Sequence, residues 1–191
     1  MNSNKFKYSL ITEGKMEEVF FTWLKDSSIY KNKIYSKCKS HSVSGKGTLH
    51  EKLIINSDKN CCNKYFIFDV DNITKEVPEK CKKSAKDKNI TLIINNPCLE
   101  IILLSFFKYC DQTNLTKAWI EEKLNIELKK LSWELYNHDL KSLGKLLNNL
   151  AKSEEHQKNF KTNLIKYKQQ TNNPNSNFID LIIMLERDNN G

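Results

Sequence analysis

The sequence predicts an α/β fold: a parallel sheet flanked by helices over residues 1–110, with a helical extension over residues 111–191 packed on it. Three observations predict it. Short apolar runs alternate with helix-patterned segments in the first half. Two of those runs are apolar without a polar alternation, as strands covered on both faces are. The second half carries only helical periodicity.

Each element follows from its residues. Residues 6–11 alternate and then turn apolar, giving a strand that ends at Thr12-Glu13-Gly14. Residues 15–24 place Met16, Val19, Phe20, Trp23 and Leu24 at helical spacing. Residues 33–36 read as a weak strand, residues 41–48, with Gly45 and Gly47, as a loop, and residues 48–56 as a helix. Tyr65-Phe66-Ile67-Phe68 is a buried strand ending in Asp69. Pro78 falls in the first turns of a charged helix that reaches Lys88. Residues 90–94 form a second buried strand closed by Asn95-Asn96-Pro97, with Pro97 as the first residue of a helix over 98–109. Residues 116–131, 133–150 and 154–169 are amphipathic helices; 170–177 is a polar loop; 178–185 is a last apolar helix before a frayed tail.

Composition narrows the function classes. Lys+Arg is 31 against 23 Asp+Glu, a formal net charge of +8. Residues 1–110 carry nearly all of that excess, and residues 25–64 are its densest part. Such a balance suits a polyanionic partner, although a lysine-rich codon bias gives the same numbers. No apolar run approaches the ~20 residues that span a bilayer, and the first residues lack the apolar region of a signal peptide, so a cytoplasmic, non-membrane protein is expected. The six cysteines, with Cys61 and Cys62 adjacent, show no zinc spacing and are expected as reduced thiols. The four histidines are scattered without ligand spacing and read as surface or satisfied core. Neither a P-loop nor a dinucleotide fingerprint occurs, and Gly45-Lys46-Gly47-Thr48 lacks the first glycine of the former.

Carboxylates stand just past strand ends, where open α/β sheets build their sites. Glu13 follows the first strand, with Glu17 one helical turn on; Asp69 and Asp71 follow the second; Glu100 follows Asn96-Pro97. Gathered carboxylates repel one another unless cations offset them, and hard divalent ions prefer such oxygen ligands. Helix capping is the alternative reading of each one taken singly.

These residues also carry a family resemblance. Leu10-Ile11-Thr12-Glu13-Gly14-Lys15-Met16-Glu17-Glu18 resembles the E-G-x-x-E opening of a Toprim domain, the fold of topoisomerases, primases and OLD-type nucleases. Ile67-Phe68-Asp69-Val70-Asp71-Asn72 resembles its D-x-D motif. Asn95-Asn96-Pro97-Cys98-Leu99-Glu100-Ile101-Ile102-Leu103-Leu104 resembles the S-N-P-C-F-E-L-W-L-L element of the RloB-like family, and Asn173-Pro174-Asn175-Ser176-Asn177-Phe178 its N-P-S-T-x-V ending. Leu99, Ile102 and Asn177 depart from the residues usual there.

The resemblance implies a Toprim-like fold and a Mg2+- or Mn2+-dependent nuclease of prokaryotic defence against phage or plasmid DNA. Under it Glu13, Asp69 and Asp71 are catalytic, and Glu13, Glu17, Asp69, Asp71 and Glu100 hold metal. Lys15, Lys37, Lys39 and Lys46 are the lysines that would hold nucleic acid, which is DNA or RNA, tRNA included. An ATPase partner and a homo-oligomer belong to the same expectation. The alternative is a non-catalytic nucleic-acid-binding or regulatory subunit of the same fold. A receiver-type phosphoacceptor would need an acid pair after the first strand, which Glu13-Gly14 does not supply.

Overall fold

A computed structural model describes residues 8–26, 63–70, 79–170 and 175–187. The strand expected at 33–36, the loop at 41–48 and the helix at 48–56 lie outside them, as do Asp71, Lys37, Lys39 and Lys46. In order along the chain come β1 (Tyr8–Thr12), α1 (Lys15–Asp26), β2 (Asn63–Asp69), α2 (Glu79–Asp87), β3 (Ile90–Asn96) and α3 (Glu100–Leu104). Then follow α4 (Lys117–Lys130), α5 (Leu140–Leu150), α6 (Glu154–Gln169), β4 (Asn175–Ser176) and α7 (Phe178–Arg187). The sheet order is β1-β2-β3-β4. The first three strands are parallel, and β4 adds antiparallel to β3. The fold is thus α/β and mostly parallel, consistent with a Toprim-like arrangement.

Alternation along the strands divides the core in two. Leu10, Tyr65, Ile67 and Ile93 face a large cluster that includes Phe20, Phe106, Phe160 and Phe178. Ile11, Phe66 and Phe68 face the other way, onto Cys81 and Ala85 of α2. All of Tyr65–Phe68 is buried, which is why β2 is an unbroken apolar run rather than an alternating one. The large cluster draws on both halves of the chain: Phe106 stacks on Phe160, ring centroids 3.9 Å apart, and Phe178 lies between Phe20, Phe21 and Phe160. The described cysteines, Cys81, Cys98 and Cys110, are free and buried.

Two helices are shorter than their periodicity predicts. The helix expected over 98–109 is only Glu100–Leu104, so Pro97, joined to Asn96 by a cis bond, precedes it rather than opening it. Beyond Leu104, Phe106 N and Phe107 N make i−3 bonds while Lys108 N reaches back to the Leu104 carbonyl, and the Ser105 carbonyl is taken by Asn163 Nδ2 of α6 at 2.9 Å. Tyr167 Oη then accepts from Cys110 N at 3.1 Å, so tertiary partners replace the helical ladder. The helix expected over 133–150 begins at Leu140. Asp139 caps it, accepting from Lys141 N and Ser142 N. Residues 133–139 form a loop instead, with Asn125 of α4 bonded to both backbone groups of Tyr136, at 2.7 and 2.9 Å. The loop expected at 170–177 contains the short β4, whereas α4 and α6 keep the extents their patterns indicate. Among the described residues no helix is long and apolar enough to cross a membrane.

Candidate functional site

Parallel strands bring the carboxyl ends of β1, β2 and β3 to one edge of the sheet. Thr12 is the last β1 residue in register with β2, opposite Ile67, and Glu13 N donates to the Ile67 carbonyl at 3.2 Å. Glu13 therefore leaves the sheet beside the end of β2. Asp69 ends β2 and is in register with Asn95, which is in register with Ser176. Side chains bridge this row. Ser176 Oγ donates to Asn95 Oδ1 at 3.1 Å, and Asn95 Nδ2 donates to Asp69 Oδ1 at 3.2 Å. The other Asp69 oxygen accepts from Leu99 N at 2.9 Å. Asn177 docks this tail onto β3, accepting from Ile94 N at 2.7 Å and donating to the Leu92 carbonyl at 2.9 Å. Asn177 thus supplies a bidentate side chain to the sheet.

Glu13, Glu17, Asp69 and Glu100 line one cavity of about 260 Å³, together with Lys15, Leu99, Lys117 and His138. Glu17 is turned inward from the first turn of α1 and is buried. Its Oε2 has no hydrogen-bond partner. Gly14 makes room for it: a Cβ there would stand 2.7 Å from that oxygen. Glu100 is 1% exposed. Its Oε1 accepts from Tyr136 Oη at 2.9 Å and lies 2.7 Å from His138 Nδ1, while Oε2 is buried without a partner.

Burial and mutual repulsion set the electrostatics. Burial, then the charge of Glu17, pushes Asp69 well above the usual carboxylate range, against the pull of its bonds to Leu99 and Asn95. Burial likewise raises Glu17, with the Glu13 and Glu100 charges adding to it. Glu100 behaves differently. Burial pushes it up, but the Cys98 thiol, the Lys117 ammonium and the Tyr136 hydroxyl together hold it below its ordinary value. Tyr136 is itself pushed up by burial and by Glu100.

The structure thus brings Glu13, Glu17, Asp69, Glu100 and Lys15 to one cavity. Lys15 is largely exposed and pairs with Glu18 at 2.9 Å. Lys117 and His138 come from the second half of the chain and were not marked by sequence. His138, read from sequence as surface or satisfied core, is exposed and also lines the cavity. Its Nε2 lies 3.1 Å from Lys117 Nζ. Its Nδ1 is also 3.5 Å from Glu121 Oε1. One ligand atom each from Glu100, Glu121 and His138 lie within 4.8 Å of one another, close enough to hold a metal ion. The only sequence signal for this loop was Asp139, a helix-capping residue inside a segment otherwise patterned as helix.

Residues 8–185, nearly the whole chain, match the family described as RloB-like protein. No curated protein and no solved structure matches the chain.

Proposed function

Since the chain belongs to the RloB-like family, we propose that it is a divalent-cation-dependent nuclease hydrolysing phosphodiester bonds of DNA or RNA. One observation carries this reading: four carboxylates from three strand ends meet at one cavity, and two of them keep a buried oxygen without any partner. A buried carboxylate oxygen left unpaired costs free energy, and a bound cation removes that cost. The donor set is all oxygen at Glu13, Glu17 and Asp69, which fits Mg2+ or Mn2+.

When bound, the cation would supply charge neutralisation and an acidified water. The chain's own residues do the rest. Asp69 is held at both oxygens by Leu99 N and Asn95, so its direction is fixed before any ligand arrives. Lys117, at the first turn of α4, offers a positive charge to a phosphate in the cavity. Lys37, Lys39 and Lys46 are proposed as further lysines that hold nucleic acid, and Asp71 as a further carboxylate for the metal. A defence role, an ATPase partner and self-association belong to the same proposal.

The test is a cleavage panel of plasmid, single-stranded DNA and tRNA with Mg2+ or Mn2+. Metal-dependent cleavage of at least one substrate supports the reading. Binding that persists in EDTA, with no cleavage under either ion, replaces it with a non-catalytic nucleic-acid-binding subunit.

Gly14→Ala gives a narrower check. The new Cβ collides with Glu17 Oε2, so the carboxylate must shift. A displacement of that size is expected to lower metal-dependent cleavage about 10-fold while leaving the circular dichroism spectrum unchanged. Unaltered activity would remove Glu17 from the centre.

A further inference from the structure

We propose that Glu100, Glu121 and His138 form a second cation seat in the wall of the cavity, one that takes a first-row transition ion such as Mn2+ in preference to Mg2+. It extends, and rests on, the metal-centre reading given above.

Several oxygens crowd one ring nitrogen, Tyr136 Oη at 3.3 Å among them. His138 Nδ1 faces two carboxylate oxygens, Glu100 Oε1 at 2.7 Å and Glu121 Oε1 at 3.5 Å. One proton on Nδ1 satisfies one of them well. Glu100 Oε1 already receives the Tyr136 hydroxyl, while Oε2 of the same buried carboxylate receives nothing. A divalent ion engages a nitrogen and both carboxylates at once. The ligating atom is Nδ1, the ring nitrogen that faces both carboxylates; Nε2 accepts from Lys117 at 3.1 Å in the metal-free protein, so on ion binding the ring proton moves to Nε2 and the ammonium turns away. An entry path exists, since the His138 side chain is 44% exposed and that of Glu121 29%.

The donor chemistry sets the ion. An imidazole nitrogen adds little for Mg2+, which holds water and oxygen ligands. Transition ions gain from nitrogen in the order of their intrinsic affinities. This seat therefore differs in selectivity from the all-oxygen set at Glu13, Glu17 and Asp69, and Glu100 stands between the two.

The experiment is Mn2+ titration of the metal-free full-length chain by calorimetry, with nitrogen-15 spectra of the histidine rings. Mn2+ is the probe because the thiols of the chain select softer ions. His138→Gly is the first variant: His138 has φ 52°, a conformation glycine adopts without strain. Glu121→Gln is the second, an isosteric change at a partly exposed position of α4. Both are expected to lose one Mn2+ equivalent, or to weaken it about 10–100-fold, and to lose the preference for Mn2+ over Mg2+ at that step. In the unaltered chain Mn2+ should broaden the His138 Nδ1 resonance before Nε2.

The outcomes separate the two readings. If Asp69→Ala loses an ion while His138→Gly and Glu121→Gln lose none, the second seat is refuted and the acidic centre stands. If the His138 and Glu121 variants lose an ion and Asp69→Ala does not, the seat is supported and the acidic centre falls. If none loses an ion, both are refuted.

Discussion

Asp69→Ala is expected to lower divalent-cation-dependent cleavage by on the order of 10²–10³-fold, about 2.7–4 kcal/mol of transition-state stabilisation, and to weaken Mg2+ and Mn2+ binding with it. Asp69 ends β2 and lines the cavity with Glu13, Glu17 and Glu100. Both of its oxygens are held, one by Asn95 Nδ2 and the other by the Leu99 amide. Removing it takes one carboxylate from the cavity and leaves Glu17 and Glu100 with their partnerless oxygens. The fold should survive. Asn95 remains bonded to Ser176, and the apolar part of β2 is untouched. Cleavage measured beside the unaltered chain, with thermal melts to confirm folding, decides the matter. Full activity in a folded Asp69→Ala protein would sink the nuclease assignment to this cavity.

What could be read from the sequence followed from where the signals were local. The strand ends at Thr12, Asp69 and Asn96 follow from short apolar runs, and parallel pairing then obliges their neighbouring carboxylates to meet. Glu13, Glu17, Asp69 and Glu100 were accordingly legible before any coordinates. The second half of the site was not. His138 reaches Glu100 across 38 residues of chain, and no spacing rule connects them. The loop that carries it was obscured because Trp133, Leu135 and Tyr136 mimic a helical stripe, while Asn125 holds the backbone of Tyr136 out of the helix. Likewise the helix after Pro97 stops early because Asn163 and Tyr167, on α6, take its backbone groups. Tertiary partners overrode periodicity in both places, and both lie against the cavity or the core beneath it.

The buried carboxylates also dictate how stability responds to pH. Asp69 sits well above its ordinary 3.8 because of burial and then the Glu17 charge, and Glu17 sits above its ordinary 4.5 because of burial. In the metal-free protein the neutral forms are therefore the favoured ones in the fold. Their contribution is fully present below the unfolded values of 3.8 and 4.5. It is lost as pH rises through the raised native values, because the unfolded chain then binds fewer protons than the folded one. Glu100 acts in the opposite sense: its native value is lowered from 4.5, so its contribution is present above 4.5 and lost on acidification. A single melting profile mixes the two, and the Asp69 part is isolated by comparison with Asp69→Asn, which cannot ionise. Without metal, Asp69→Asn should gain stability relative to the unaltered chain as pH rises from about 4 to about 8. Saturating Mg2+ or Mn2+ should reverse the order at the upper end, since an ion at ~100 times its Kd adds about 2.7 kcal/mol to the protein that binds it. Thermal melts of both proteins across that range, with and without the ion, provide the measurement. Parallel profiles for the two proteins would mean that Asp69 titrates alike folded and unfolded. A crossover caused by the ion ties the strain of the empty acidic centre to the ligand that relieves it.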